Sequence, residues 1–280
     1  MNMIYNGELV SETEPWCYQV MIHKNQLLEK LQSGQAAIGA WCHLSDSLVA
    51  EIVGMLDVDY VAVDMQHGST PQSHIIPMLQ AITAARKTPL VRIPHKDYGM
   101  AQRLLDAGAE GLIFPMVNNR ADAEEAVSAT RYPPLGDRSF GPLRSQMTLG
   151  KDTDEVNAQI MCLVQIETPS AIQNLKEIIQ TPGVDGVYIG PADLALSHGL
   201  SIQDQEPILD DLFAQVLSAC TEYNSIPGIH CFSGESARRA QDRGFTITSV
   251  GSDAVWLRSG YSQQLAMARG ITPVPVDGYY

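Results

Sequence analysis

Eight short apolar runs, each followed by a helical pattern, set the tightest limit on how this 280-residue chain can fold. They cover residues 36–42, 60–65, 89–93, 111–115, 161–166, 186–189, 228–230 and 246–250. The runs are rich in Val, Ile and Leu and do not alternate with polar residues. Both faces of each strand are therefore buried, as in a parallel sheet covered by helices. Most spacings are about 20 to 30 residues, as in a (β/α)8 TIM barrel. An open doubly wound sheet is the alternative. No G-x-G-x-x-G follows the first run, and eight alternations suit closure better.

The helices carry their own signals. Ile75, Ile76, Leu79 and Ile82 predict one buried face, and Leu104 and Leu105 mark another. Thr168-Pro169 reads as an N-cap with Pro at the first helical position, and Leu175, Ile178 and Ile179 follow as the buried stripe. Gly108 and Gly244 stand where helix C-caps fall. Residues 1–24 lack periodicity and read as an N-terminal extension. Residues 25–280 then form one barrel domain, ending in a helical pattern over 253–269. Between the fourth and fifth strands lies a long Pro/Gly-rich segment, RYPPLGDRSFGPLRS, whose Arg138 and Arg144 are candidates for contacting an acidic distal group.

Charge excludes some functions. With 18 Lys+Arg against 32 Asp+Glu, the net charge is −14, the opposite of a nucleic-acid footprint. No run approaches the roughly 20 apolar residues that span a bilayer. The first residues have neither a basic nor an apolar signal region, so a cytoplasmic protein is expected. Five scattered cysteines without a C-x-x-C make a disulfide framework or structural zinc site improbable.

In a barrel of this kind the active site lies at the carboxyl ends of the strands. Strand two ends in Asp64-Met65-Gln66-His67 and strand three in Arg92, strand five in Gln165-Ile166-Glu167 and strand six in Gly190-Pro191-Ala192-Asp193. Two carboxylates from adjacent strands, Glu167 and Asp193, suit a hard divalent cation that keeps places open for substrate oxygens. Mg²⁺, Mn²⁺ or Co²⁺ fits such a set. Each acid is also what caps a helix, and only the pair points to a metal. Arg92 suits a carboxylate or an enolate oxygen, or else a structural ion pair. His67, three residues after Asp64, is a candidate general base with a carboxylate to fix its tautomer. The unshielded backbone at Gly190 and Ala192 can receive a ligand carboxylate, or simply make a tight turn. His43 and His95 also stand near strand ends but rank lower, and His230 has no partner that the sequence names.

The segments VAVDMQHG, PLVRIP, LLDAGAEGLIFPMV, ATRYPPLGDRSFG, LVQIET and GVDGVYIGPADLA, in that order, resemble the HpcH/HpaI aldolases. These are metal-dependent class II pyruvate aldolases, and the resemblance spans residues 34–268. It implies a TIM barrel in a homo-oligomer, a hexamer built as a trimer of dimers with the C-terminal helix exchanged between subunits. It implies Glu167 and Asp193 as ligands of Mg²⁺ or Mn²⁺ and Arg92 on the pyruvyl oxygen. It implies His67 as the catalytic histidine with Asp64 as its partner. Gln165, Gly190, Ala192 and Asp106 would line the substrate, Asp106 often from across a subunit boundary. The family commonly has Glu where this chain has Gln66, which touches substrate preference more than reaction class.

The activity so implied is reversible cleavage of a 4-hydroxy-2-oxoacid to pyruvate, or a close 2-oxoacid, and an aldehyde through a metal-stabilised enolate. No lysine stands at these strand ends, which disfavours a Schiff base. The alternatives are a CoA-thioester lyase of the citryl- or malyl-CoA type, oxaloacetate decarboxylation coupled to carbon–carbon bond formation as in macrophomate synthase, and a non-enzymatic keto-acid-binding protein.

Overall fold

The computed structural model describes residues 22–201 and 208–272, with the backbone of a short antiparallel pair, Ile4–Tyr5 and Glu8–Leu9. Most of the expected N-terminal extension lies outside the described residues.

All eight predicted strands are present and parallel, and they close into a barrel. In chain order they are β1 (Ala37–Cys42), β2 (Tyr60–Asp64), β3 (Thr88–Arg92), β4 (Gly111–Phe114), β5 (Met161–Ile166), β6 (Gly186–Ile189), β7 (Ile226–Ile229) and β8 (Ile247–Ser252). β8 pairs with β1 to complete the ring. Helices return the chain between strands, which makes this a (β/α)8 TIM barrel.

Apolar residues on both faces of each strand build two cores. One fills the barrel, with Trp41, Tyr60, Leu90, Ile113, Leu163, Tyr188 and Ile247 packed across it. Its large rings need small neighbours. A Cβ on Gly39 would sit 2.2 Å from the Tyr60 ring. The other core lies between the strands and the helices. The helix Gln26–Gln32 plugs the amino end of the barrel with Leu27, Leu28 and Leu31.

Local signals act as expected at several points. Thr168 caps Pro169–Gln173 by accepting from the Ala171 N–H, and Gly244 closes Gly234–Arg243 at φ +114°. Two details differ. Ile76 is 46% exposed, because the buried stripe of Gln72–Ala84 runs Ile75, Met78, Leu79, Ile82 and Ile76 falls off it. Leu175–Ile179 is a separate short helix, broken from Pro169–Gln173 at Asn174. Among the described residues no helix is long and apolar enough to cross a membrane.

Candidate active site

Strand register brings the polar strand ends to one level. Asp64 pairs directly with Arg92 across β2 and β3, and Ile166 with Ile189 across β5 and β6, so Glu167 and Gly190 leave the barrel side by side. The resulting mouth is lined by His43, Arg92, Gln165, Gly190, Asp193 and His230 among others.

Asp64 is the electrostatic centre of one half. It is fully buried and accepts from Arg92 Nε at 2.9 Å and Nη2 at 2.6 Å. Burial alone would raise its pKa. The hydrogen bonds from His43 and Arg92, with their charges, overcome that and hold the carboxyl well below its usual range. Arg92 also lies over the Trp41 ring, 4.7 Å from its centroid.

A second imidazole, one that sequence spacing does not propose, stands on Asp64. His43 Nε2 lies 3.1 Å from Asp64 Oδ2. His67 donates its backbone N–H to Asp64 Oδ1 at 3.3 Å, and its ring is affected by the charges of Arg92, Asp64 and Asp193. Partial burial and the Arg92 charge lower the His67 pKa, which favours the neutral imidazole. His43 directly follows β1, 21 residues before Asp64, so chain proximity gives no sign of the contact; the β1–β2 register, which pairs Cys42 with Val63, brings the two together.

The other half holds the acids. Glu167 is 1% exposed. Its Oε2 accepts the Met116 N–H at 2.9 Å, while Oε1 is buried with no partner. Burial raises its pKa to about 7; the Met116 N–H opposes that, and Asp193 adds to it. Gln165 is fully buried and both its amide atoms lack partners. A Cβ on Gly190 would stand 2.7 Å from Glu167 Oε1 and 3.3 Å from Gln165 Nε2, so glycine keeps this cradle open. Asp193 follows in the first turn of Pro191–Ser197. Buried, unpartnered oxygen beside a second carboxylate is what a divalent cation would satisfy. Among the described residues no three His, Cys, Asp or Glu side chains are placed to hold a metal ion together, so a closed all-protein cage is not the pattern.

Three predicted residues lie elsewhere in this chain. Asp106 ends the helix Tyr98–Asp106, which runs back from the mouth, and it accepts from Arg138 Nη2 at 2.9 Å. Arg138 is buried there against the Tyr132 ring. Arg144 donates to the Ala107 and Leu79 carbonyls and to Thr83. Neither arginine reaches the mouth, so neither is the contact for a distal acid in this chain. His95 is exposed and accepts the Lys96 N–H. His230 stands edge-on to Trp41 and Phe232, and burial lowers its pKa to about 3.

A profile of the HpcH/HpaI aldolase/citrate lyase family matches residues 37–259. The chain is 37% identical over 246 residues to a hydroxypyruvate/pyruvate aldolase of Rhizorhabdus wittichii, covering 85% of this chain and 96% of that protein. It is 34% identical over 238 residues to a 4-hydroxy-2-oxo-heptane-1,7-dioate aldolase of Escherichia coli, covering 84% and 91%. A solved HpcH/HpaI aldolase/citrate lyase family protein from Burkholderia cenocepacia superposes with a TM-score of 0.82 at 30% identity, covering 88% and 99%. With the profile spanning most of the barrel and these relatives matched over nearly their whole length, the chain belongs to the HpcH/HpaI aldolase/citrate lyase family.

Proposed function

We propose that this enzyme, an aldolase, reversibly cleaves a 4-hydroxy-2-oxoacid into pyruvate, or a close 2-oxoacid, and an aldehyde, with a divalent metal held by Glu167 and Asp193. The observation that carries the reading is the buried, unpartnered Glu167 Oε1 in the cradle beneath Gly190. When bound, Mg²⁺, Mn²⁺ or Co²⁺ supplies Lewis-acid polarisation of the ketone. The chain's own residues do the rest. The backbone N–H of Ala192, in the first helical turn, faces the substrate carboxylate, and the Gln165 amide orients the oxoacid. Arg92, fixed by Asp64, offsets the negative charge that develops on the ketone oxygen.

His67, neutral near pH 7, takes the proton from the C4 hydroxyl. The C3–C4 bond then breaks, C4 leaves as the aldehyde, and the electron pair forms the enolate of pyruvate. Protonation at C3 completes pyruvate, and the reverse sequence builds the bond. His43 holds Asp64, and through it Arg92, in place.

Two exposed apolar surfaces support a homo-oligomer, a trimer of dimers with an exchanged C-terminal helix: Trp256, Leu257, Tyr261 and Leu265 on Asp253–Ala268, and Leu48 and Ile52 on Ser47–Gly54. In such an assembly Asp106 would serve a neighbouring mouth. Light scattering of the purified protein checks the mass.

The decisive test is exchange of pyruvate methyl protons in D₂O, followed by NMR, with Mg²⁺, with Mn²⁺ and with EDTA. Metal-dependent exchange is expected, and it disappears in Glu167→Gln. Its absence under every metal would sink the reading and bring CoA-thioester or oxaloacetate chemistry forward.

A further inference from the structure

The mouth has a sector that the oxoacid chemistry does not use. It is made by the ends of β7 and β8 and carries His230, Phe232, Gly251, Ser252 and Val255. Ser252 is the unusual member. It is 3% exposed and its Oγ has no hydrogen-bond partner. It occupies the N-cap of Asp253–Ala268, the position where a serine hydroxyl ordinarily accepts a helical N–H, yet it makes no cap bond.

The backbone explains the diversion. The β8–β1 register shifts between Ser249 and Ser252, a bulge of the kind that re-aims side chains at barrel rims. Gly251 takes φ +90° there, and a Cβ on it would meet the Phe232 carbonyl at 2.8 Å. Asp253 uses its carboxylate on the His43 and Leu44 N–H groups, which ties β8 to β1 and fixes the turn. A hydroxyl with no bond to give up turns to a ligand without losing one.

We infer that Ser252 is a specificity-determining residue that receives a neutral hydroxyl group on the aldehyde-derived half of the substrate. The inference rests on the aldolase reading, since it assigns the part of the mouth left beside the oxoacid. The surroundings fit a neutral group and not a carboxylate. Phe232 and Val255 are apolar. His230 lies between Trp41 and Phe232, and desolvation keeps its ring uncharged. The cation of the lining, Arg92, is held bidentately by Asp64.

The experiment compares aldol addition of pyruvate, with Mg²⁺, to glycolaldehyde, to its isostere propanal and to succinic semialdehyde. For the wild type, kcat/KM should favour glycolaldehyde over propanal by about tenfold, the size of one well-placed hydrogen bond. Succinic semialdehyde should be the poorest of the three. Ser252→Ala should bring the glycolaldehyde/propanal ratio near one, with the loss on glycolaldehyde. Ser252→Thr, which keeps the hydroxyl, should retain the preference. A ratio that does not move in Ser252→Ala, that collapses equally in Ser252→Thr, or a wild type that prefers succinic semialdehyde overturns the assignment. Wild-type pyruvate proton exchange separates the failures. Exchange with an unmoved ratio removes the role of Ser252 alone, whereas no exchange removes the aldolase reading and this inference with it.

Discussion

The two ends of the barrel handle buried polar groups in opposite ways. At the amino end the groups that tie the strands to their connections are answered, with Ser225 Oγ, just before β7, an exception. Asn25 is fully buried; its amide donates to the Glu110 and Gln159 carbonyls, and its oxygen caps Gln26–Gln32 through the Leu28 N–H. Asp59 accepts from the Ile38 N–H and Lys30, and Asp185 from the Cys162 N–H and Arg131. At the carboxyl end Gln66 Oε1, both amide atoms of Gln165, Glu167 Oε1 and Ser252 Oγ are buried without partners. Unanswered polar groups cost stability, roughly 1–3 kcal/mol each. Among the described residues the others are Tyr132 Oη, two nitrogens of Arg138 and Ser225 Oγ, which lie away from the mouth. The group gathered around Glu167 marks where the fold gives up stability for binding, while the answered groups at the amino end hold the scaffold together.

Substitutions that separate activity from stability test this contrast. The largest effect is expected from Glu167→Gln, which should lower turnover about a thousandfold or more by weakening the metal site. The same change should raise the melting temperature of metal-free protein, because it removes a buried charge. The shift of Glu167 from 4.5 to about 7 corresponds to about 3 kcal/mol. Loss of both activity and stability would mean that Glu167 belongs to the scaffold.

Next in size is the base. His67→Asn should reduce kcat by about a hundredfold or more and abolish the acidic limb of the kcat/KM pH profile. His43→Asn should cost less and leave that limb in place, since His43 acts through Asp64. If the two outcomes are exchanged, the histidine bonded to Asp64 is the base.

At the amino end, Asn25→Ala should cost about 2–3 kcal/mol in urea unfolding, by removing a cap and leaving two carbonyls unanswered. The rate per folded molecule should not change. A drop in that rate would show that the two ends are coupled.

The last test leaves the sequence unchanged and varies only pH. Glu167 has a raised pKa in the folded chain, so the native state holds a proton that the unfolded state releases sooner. Its contribution to metal-free stability is complete below about 4.5 and is lost as pH rises through about 7. Melting curves at fixed ionic strength should fall across that window, and a saturating divalent ion should reverse the fall. A flat profile would place the Glu167 charge in a better-solvated setting than its burial implies.

Much of this molecule is legible along the chain because the information is local. A run such as YVAVD is apolar on both faces and so must be a strand buried on both sides, and residues just past such runs must emerge at the mouth. That reasoning finds Asp64, Arg92, Glu167 and Asp193 without a structure. It ranks His43 below His67 and misses Ser252. His43 reaches Asp64 only when β1 lies beside β2, and nothing along the chain marks Ser252, which the β8 bulge sets at the N-cap of Asp253–Ala268 without a cap bond. It misjudges Arg138 and Arg144, since a polar loop residue looks exposed until the fold supplies Asp106 and the Ala107 carbonyl.

The sequence by itself determined the barrel, the order of its strands and the level at which the acids stand, because periodicity and strand ends are properties of neighbours in the chain. The tertiary structure alone decided which imidazole faces Asp64, which buried oxygens stay unpartnered and where Asp106 points. Those depend on which strands lie side by side, on the register between them and on how the chain turns at their ends, none of which the spacing along the chain records.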